Sequence, residues 1–133
     1  MVDFNLKGYK VKEYQFINKI NGMKKLELSH KYSYNVGYSQ NNTCKSEFRA
    51  EITDKEDPEA FRIVMLLEAF FQINGDTPKE VLHVETYDAV FPYVKSIVSA
   101  TTSLAGIPPV IIPYVDIRGQ DIYRVEIPKN NDK

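Results

Sequence analysis

Tryptophan is absent from this 133-residue chain, histidine occurs twice and cysteine once. A lone Cys44 excludes an internal disulfide and fits a reducing compartment. As a small strand residue it reads as structural and not nucleophilic. His30 and His83, far apart in the sequence, are a poor start for a zinc site. His30 falls on an apolar strand face, the pattern of a core or groove histidine. His83 and Glu85 are two apart, which does not put them on one helical face. HExxH, CxxC, GxSxG, P-loop and GxGxxG patterns are all missing. Charge of one sign is missing too: 17 basic residues face 18 acidic ones, net −1, so no basic face marks a nucleic-acid binder. Lys7, Lys10, Lys12 and the Lys24-Lys25 pair read as solvated positions. No apolar run approaches the ~18–20 residues of a membrane span. Asp3, Lys7, Lys10, Lys12 and Glu13 leave no apolar stretch for a secretory signal. The expectation is a cytoplasmic protein with no catalytic residues, no metal, no cofactor, no nucleic-acid partner and no membrane insertion.

What is present is apolar and aromatic: 43% hydrophobic residues, with nine tyrosines and seven phenylalanines. That composition and length predict one domain, 1–133, able to bury roughly two-thirds of its unfolded surface. The strand signals come first. Leu26, Leu28, His30, Tyr32, Tyr34, Val36 and Tyr38 alternate with polar residues from Lys25 on, a half-buried strand. Asn21-Gly22 is a turn signal, which makes Tyr9 to Ile17 the expected hairpin partner of that strand. Its alternation slips near Glu13-Tyr14, the sign of a bulge. Asn41-Asn42 marks another turn. Phe48, Ala50 and Ile52 then alternate with Glu47, Arg49, Glu51 and Thr53 as a third strand. Phe61, Ile63, Met65, Leu67, Ala69, Phe71 and Ile73 form one wholly apolar face of a fourth. Its second face, with Val64, Leu66 and Phe70 beside Arg62, Glu68 and Gln72, is expected to be partly wet if helices cover only one side of the sheet.

The second half reads as helix and then extended chain. Thr77-Pro78-Lys79-Glu80 is a capping box with proline at the first helical position. It opens a short helix expected to fail around Thr86-Tyr87. A main helix follows with Pro92 near its start, and Phe91, Val94, Ile97, Val98, Thr101, Leu104 and Ala105 on its apolar face. Gly106 stops it and Pro108-Pro109 forbid its continuation. From Ile107 to Tyr114 no charge occurs, so this extended segment needs a cover. The fold class is α+β: a four-stranded antiparallel sheet, about 4–73, with helices, about 78–105, packed on one face, then a crossover and tail, 107–133. Ser96, Ser99, Ala100, Thr101, Thr102 and Ser103 permit close helix–helix approach or form a solvated face.

Phe91-Pro92-Tyr93, the helix after it, Gly106-Ile107-Pro108-Pro109, and Ile112-Pro113 with Val115-Asp116-Ile117 resemble the C-terminal half of the SecB family of export chaperones. The long strand before Asn74-Gly75-Asp76 matches in position and length. The resemblance spans roughly residues 26–117. A small SecB-like family in Gram-positive bacteria fits the length of the chain still better.

The resemblance implies an ATP-independent holdase for unfolded or extended polypeptide, linked to protein export. Its client groove would be lined by Phe91, Tyr93, Ile107, Val110, Ile112 and Tyr114, with Phe70 and Tyr87 added from position. It also implies a homodimer or homotetramer. Contact with the export motor SecA is not expected, because Pro128 to Lys133 lacks the family's acidic, zinc-binding tail. Ile122 to Ile127 alternates like a strand where the family has a second helix, and is expected to cover part of the groove. Two other readings stay open: a dedicated partner chaperone, such as one protecting an antitoxin, and a scaffold or small-ligand protein whose groove is filled.

Overall fold

The computed structural model describes residues 4–21, 26–73 and 76–115, and the backbone of 125–127. Four long strands come first: β1 Phe4–Asn18, β2 Leu28–Ser39, β3 Thr43–Asp54 and β4 Phe61–Ile73. One helix follows, α1 Lys79–Leu104, and then a three-residue strand, β5 Val125–Ile127. The sheet is antiparallel with order β1-β4-β3-β2-β5. The α+β class and the four-stranded core are as read from the sequence. Gly22, Asn74, Gly75, residues 116–124 and the residues after 127 lie outside the described residues. The Asn21-Gly22 turn, the Asp116-Ile117 end of the crossover and the first half of the tail strand are therefore expectations that fall there.

The expected β1–β2 hairpin does not form. β1 pairs with β4 along its whole length, from Phe4↔Ile73 to Asn18↔Phe61. β4 explains this. Its first face is wholly apolar, and on its mixed second face Val64 is as buried as the core. Such a strand belongs in the interior of a sheet with neighbours on both sides, so β1 and β3 flank it. The chain reaches β2 past the β3–β4 turn, where Lys19 N–H donates to the Ala60 carbonyl (2.6 Å) and Lys55 N–H to the Glu27 carbonyl (2.8 Å). β2 and β3 do form a hairpin. Asn41 and Asn42 take positive φ values of 69° and 56°, which asparagine tolerates and a primed turn requires.

β1 carries register shifts between Leu6 and Gly8 and between Val11 and Glu13. The second lies next to the bulge expected from the pattern. The two extra residues, Lys7 and Lys12, rephase the strand so that Tyr9, Val11, Tyr14 and Phe16 all stand opposite inward residues of β4.

The second face of the sheet is less wet than expected. Val64 is buried, and among the described residues only Phe70, at 38%, is a large exposed apolar residue there. Ion pairs lie across it: Arg49–Glu13 (3.6 Å), Arg62–Glu51 (2.7 Å), and Lys10, Lys12 and Lys45 around the Glu68 carboxylate at 3.3–3.8 Å. The aliphatic stems of the lysines cover apolar surface while their charges face water. Burial pushes the Glu68 carboxyl up, but the hydrogen bond and charge of Lys45, with Lys12, outweigh it and hold it below its ordinary value.

α1 is one helix and not two, a second correction. Pro92 sits inside it, without a break, and not near its start. An interior proline removes one backbone bond and crowds the preceding turn. Tertiary anchoring on both sides overrides this: Tyr87, Val90, Phe91 and Val94 are all buried. Thr86, where the short helix was expected to fail, is itself an anchor. Its hydroxyl donates to the Leu82 carbonyl (2.6 Å) and accepts from Tyr34 Oη (2.6 Å).

At the N-terminus the expected capping box does not form: no side-chain cap hydrogen bond is made, and Pro78 is not the first helical residue. Pro78 is the extended N-cap residue, and its carbonyl accepts from Val81 and Leu82 N–H at 3.1 Å. At the C-terminus Gly106 stops the helix as read. Its φ is +91°; its N–H donates to the Ser103 carbonyl, and Ile107 N–H donates to the Thr102 carbonyl. That pair of bonds is a Schellman motif. The buried stripe is rotated slightly from the expected one: Thr102 is fully buried, whereas Leu104 is 87% exposed.

Core aromatic rings meet between sheet and helix. Phe48 stacks on Tyr87 with centroids 5.5 Å apart at 9°, and Tyr32, Tyr34 and Phe91 surround it. The Tyr34 ring also meets His83 edge-on at 5.3 Å. Burial holds His83 below the ordinary imidazole value; burial and then the Lys55 charge do the same to His30. With folded values lowered, the unfolded chain binds more protons below ~6.5, so stability is fullest above that pH and falls as the solution is acidified through it. The denaturant midpoint is therefore expected to drop between pH 7.5 and 5.5. A constant midpoint over that range would show that neither imidazole is held neutral by the fold.

Candidate functional site

The crossover, residues 107–115, is the segment the sequence marked as needing a cover, and three hydrogen bonds fix it. Thr102 Oγ1 donates to the Val98 carbonyl (2.8 Å) and accepts from Val110 N–H (2.9 Å). Tyr32 Oη donates to the Pro113 carbonyl (2.8 Å), and Tyr114 Oη donates to Asp88 Oδ1 (2.5 Å). Thr102 was grouped at the sequence level with the small residues of the helix and not singled out. Only its placement opposite Val110 shows that it ties helix to crossover.

Between these ties the crossover alternates. Val110 and Ile112 point into the core, while Ile111 is 57% and Tyr114 45% exposed. The Tyr114 ring covers Phe91 edge-on at 5.3 Å and lies 5.9 Å from Tyr87. The result is a buried layer of Tyr87, Phe91, Val110 and Ile112 supporting an exposed rim of Ile111 and Tyr114.

The eight residues read as a groove do not all come together. Tyr87, Phe91, Val110 and Ile112 are core, and Ile107 is half-buried at the start of the crossover. Tyr93 is exposed but stands on the opposite flank of α1, against Tyr9 of β1, with ring centroids 4.8 Å apart. Tyr9 and Val11, both about two-fifths exposed at the β1 edge, extend that second apolar patch; the sequence reading passed over them because it placed β1 beside β2. Phe70 lies on the other face of the sheet, in a recess with Lys7, Lys45 and Thr43.

Chemistry is sparse. Burial pushes the Cys44 thiol up to about 11, which makes it a poor nucleophile. Among the described residues no group of three His, Cys, Asp or Glu could hold a metal ion. Nor is any described helix long and apolar enough to cross a membrane. The serine and alanine face of α1, with Ser96, Ala100 and Ser103 exposed and Ser99 half-buried, borders an open groove of about 530 Å³ closed on its other side by Pro109 and Ile111.

No protein-family model matches the chain. An uncharacterized protein of Methanocaldococcus jannaschii is 26% identical over 133 residues, 93% of this chain and 86% of that protein. Among solved structures, a SecB-like chaperone of Mycobacterium tuberculosis (Rv1957), in complex with a ChAD peptide from the Rv1956 HigA1 antitoxin, superposes with a TM-score of 0.69 at 12% identity. The match covers 84% of this chain and 89% of that one. A protein of unknown function from Streptococcus agalactiae matches with a TM-score of 0.51, also at 12% identity, over 86% and 99% of the two chains. With sheet, single long helix and apolar crossover in place, and with those matches over most of its length, this chain has the SecB-like fold.

Proposed function

We propose that the protein is an ATP-independent chaperone module that binds extended polypeptide along the crossover. The observation that carries this reading is the exposed rim of Ile111 and Tyr114 held over a rigid buried aromatic layer. Apolar side chains displayed on a fixed support bind without first having to be ordered, and each buried client anchor contributes on the order of 1.5–3 kcal/mol before ordering costs. The Tyr9, Val11 and Tyr93 patch supplies a second contact area on the other flank of α1. A chaperone of the same fold with a bound peptide supports the reading. A cytoplasmic location and self-association as a homodimer or homotetramer through the small-residue face of α1 belong to the same proposal; a link to export rests on the sequence resemblance alone.

A second reading, a dedicated partner chaperone, is favoured by one observation: the peptide on that M. tuberculosis chaperone comes from an antitoxin. The filled-groove scaffold turns on the side chains of the tail strand, which lie outside the described residues.

The test is suppression of aggregation of a chemically unfolded, unrelated protein by equimolar amounts of this one. Ile111→Ser/Tyr114→Ala and Tyr9→Ala/Tyr93→Ala are the variants to compare, because all four positions are exposed and the fold should survive. Suppression that drops about tenfold in apparent affinity in the first variant, the equivalent of one lost anchor, supports the crossover as the site. No suppression by the unmodified protein rejects the general holdase and favours the dedicated partner.

A further inference from the structure

β2 carries a segment of this chain on its outer edge: β5 runs antiparallel to it, with Tyr32↔Ile127, Ser33↔Glu126 and Tyr34↔Val125 in register. Among the described residues, three of the twelve residues of β2 are matched in this way. The edge of a strand is a row of N–H and C=O groups that any extended backbone satisfies equally well, whatever its side chains.

The place of the pairing is as informative as the pairing itself. Tyr32 is the residue whose hydroxyl holds the Pro113 carbonyl of the crossover. Its ring packs on Phe48 and lies 6.5 Å from that of Phe91, which Tyr114 covers. A strand on β2 at this height thus lies beside the crossover, where backbone pairing and the exposed apolar rim are available to the same extended chain. The sequence of the tail has the composition such an occupant needs, with Tyr123, Val125 and Ile127 alternating with Arg124 and Glu126.

We infer that the β2 edge at Tyr32–Tyr34 is the strand-acceptor site for an extended polypeptide, and that Val125–Ile127 is the chain's own occupant, displaced when a client binds. The inference rests on the polypeptide-binding reading above and specifies its backbone half. A tethered competitor acts at an effective concentration on the order of millimolar, so three residues suffice to hold the edge against non-specific strand pairing. A client that pairs with more of β2 and also docks an apolar side chain at the crossover displaces it. Affinity is lowered by the fraction of molecules whose edge is open, and disabling the competitor restores it.

The experiment uses the full chain and a fluorescein-labelled, reduced and alkylated unrelated protein as a permanently unfolded probe. Val125→Pro/Ile127→Pro and Glu126→Pro are compared with the unmodified protein. Ladder bonds alternate along an antiparallel pair, so one of the two variants must remove them. The expected result is probe binding at least about tenfold tighter in that variant, the release of an occupant that holds some nine-tenths of edges closed.

Hydrogen exchange on the unmodified protein is the second measurement. On probe binding, the amides of Val125–Ile127 should lose protection while those of Tyr32–Tyr34 keep theirs. Equal or weaker probe affinity in both proline variants, or unchanged exchange at Val125–Ile127 with probe bound, overturns the inference and leaves polypeptide binding intact. Absence of probe binding by every protein overturns the functional reading and the inference with it.

Discussion

Ile112→Asp is expected to detach the crossover or unfold the domain, whereas Ile111→Asp, one residue away, leaves stability within about 0.5 kcal/mol. Ile112 is 1% exposed and Ile111 57%. A carboxyl group forced into an apolar site stays neutral only by raising its pKa, by ~3–5 units where burial is complete. At 1.36 kcal/mol per unit, staying neutral while the unfolded chain ionises from ~3.9 upward costs about 4 kcal/mol near neutral pH. Losing the burial of the isoleucine adds about 1.5–3 kcal/mol. A domain of this size has only about 5–15 kcal/mol in hand. Urea titration of the two variants checks this, with the pH dependence of Ile112→Asp as a second readout, since protonation should recover part of the loss. Equal midpoints for the two variants would place the crossover on the surface as a whole and remove the buried layer on which the site stands.

Phe48→Ala is expected to cost about 3–5 kcal/mol, at the upper end for a core truncation. The ring lies at the junction of sheet and helix, stacked on Tyr87 and bordered by Tyr32, Tyr34 and Phe91. These neighbours are fixed by other contacts. Tyr34 donates to Thr86 and Tyr32 to Pro113, so neither ring can collapse into the space left by Phe48 without breaking a hydrogen bond. A cavity that cannot close keeps its full cost. Equilibrium unfolding in urea measures it. A loss under about 1.5 kcal/mol, the size expected of a volume-conserving swap, would mean that the aromatic cluster repacks and is not the rigid support assumed for the rim.

Local pattern made much of this fold legible. Period-two alternation along β2, β3 and β4 correctly named the residues facing the helix, because a strand's side chains alternate whatever its neighbours are. The Gly106 stop and the extended chain after Pro108-Pro109 followed from backbone chemistry that acts within a few residues. The slip near Glu13 announced a bulge for the same reason. Alternation in the tail announced a strand, and β5 falls within the range it marked. The family resemblance of the crossover led to the fold itself.

The pairing of β1 was not legible, because a turn signal at Asn21-Gly22 speaks for proximity in sequence. The choice of partner is set by β4, a buried strand whose backbone groups need a paired neighbour on each side. Pro92 suggested a boundary because proline's penalty is local. The anchoring of Thr86, Tyr87 and Phe91 that outweighs it comes from the sheet. The candidate site divided on the same principle. Composition named its aromatic supply, and Tyr114 and Tyr93 are indeed exposed. Periodicity in an irregular segment does not tell Ile111 from Ile112, nor can it place Tyr93 and Phe70 away from Tyr114. The sequence by itself determined the four long strands, their apolar faces and where the helix ends. The tertiary structure alone decided which strand lies beside which, which apolar residues stay exposed, and that the β2 edge is occupied by the chain's own tail. Faces and stops are properties of a few neighbouring residues. Order, exposure and edge occupancy depend on what distant segments cover, and no local pattern carries that information.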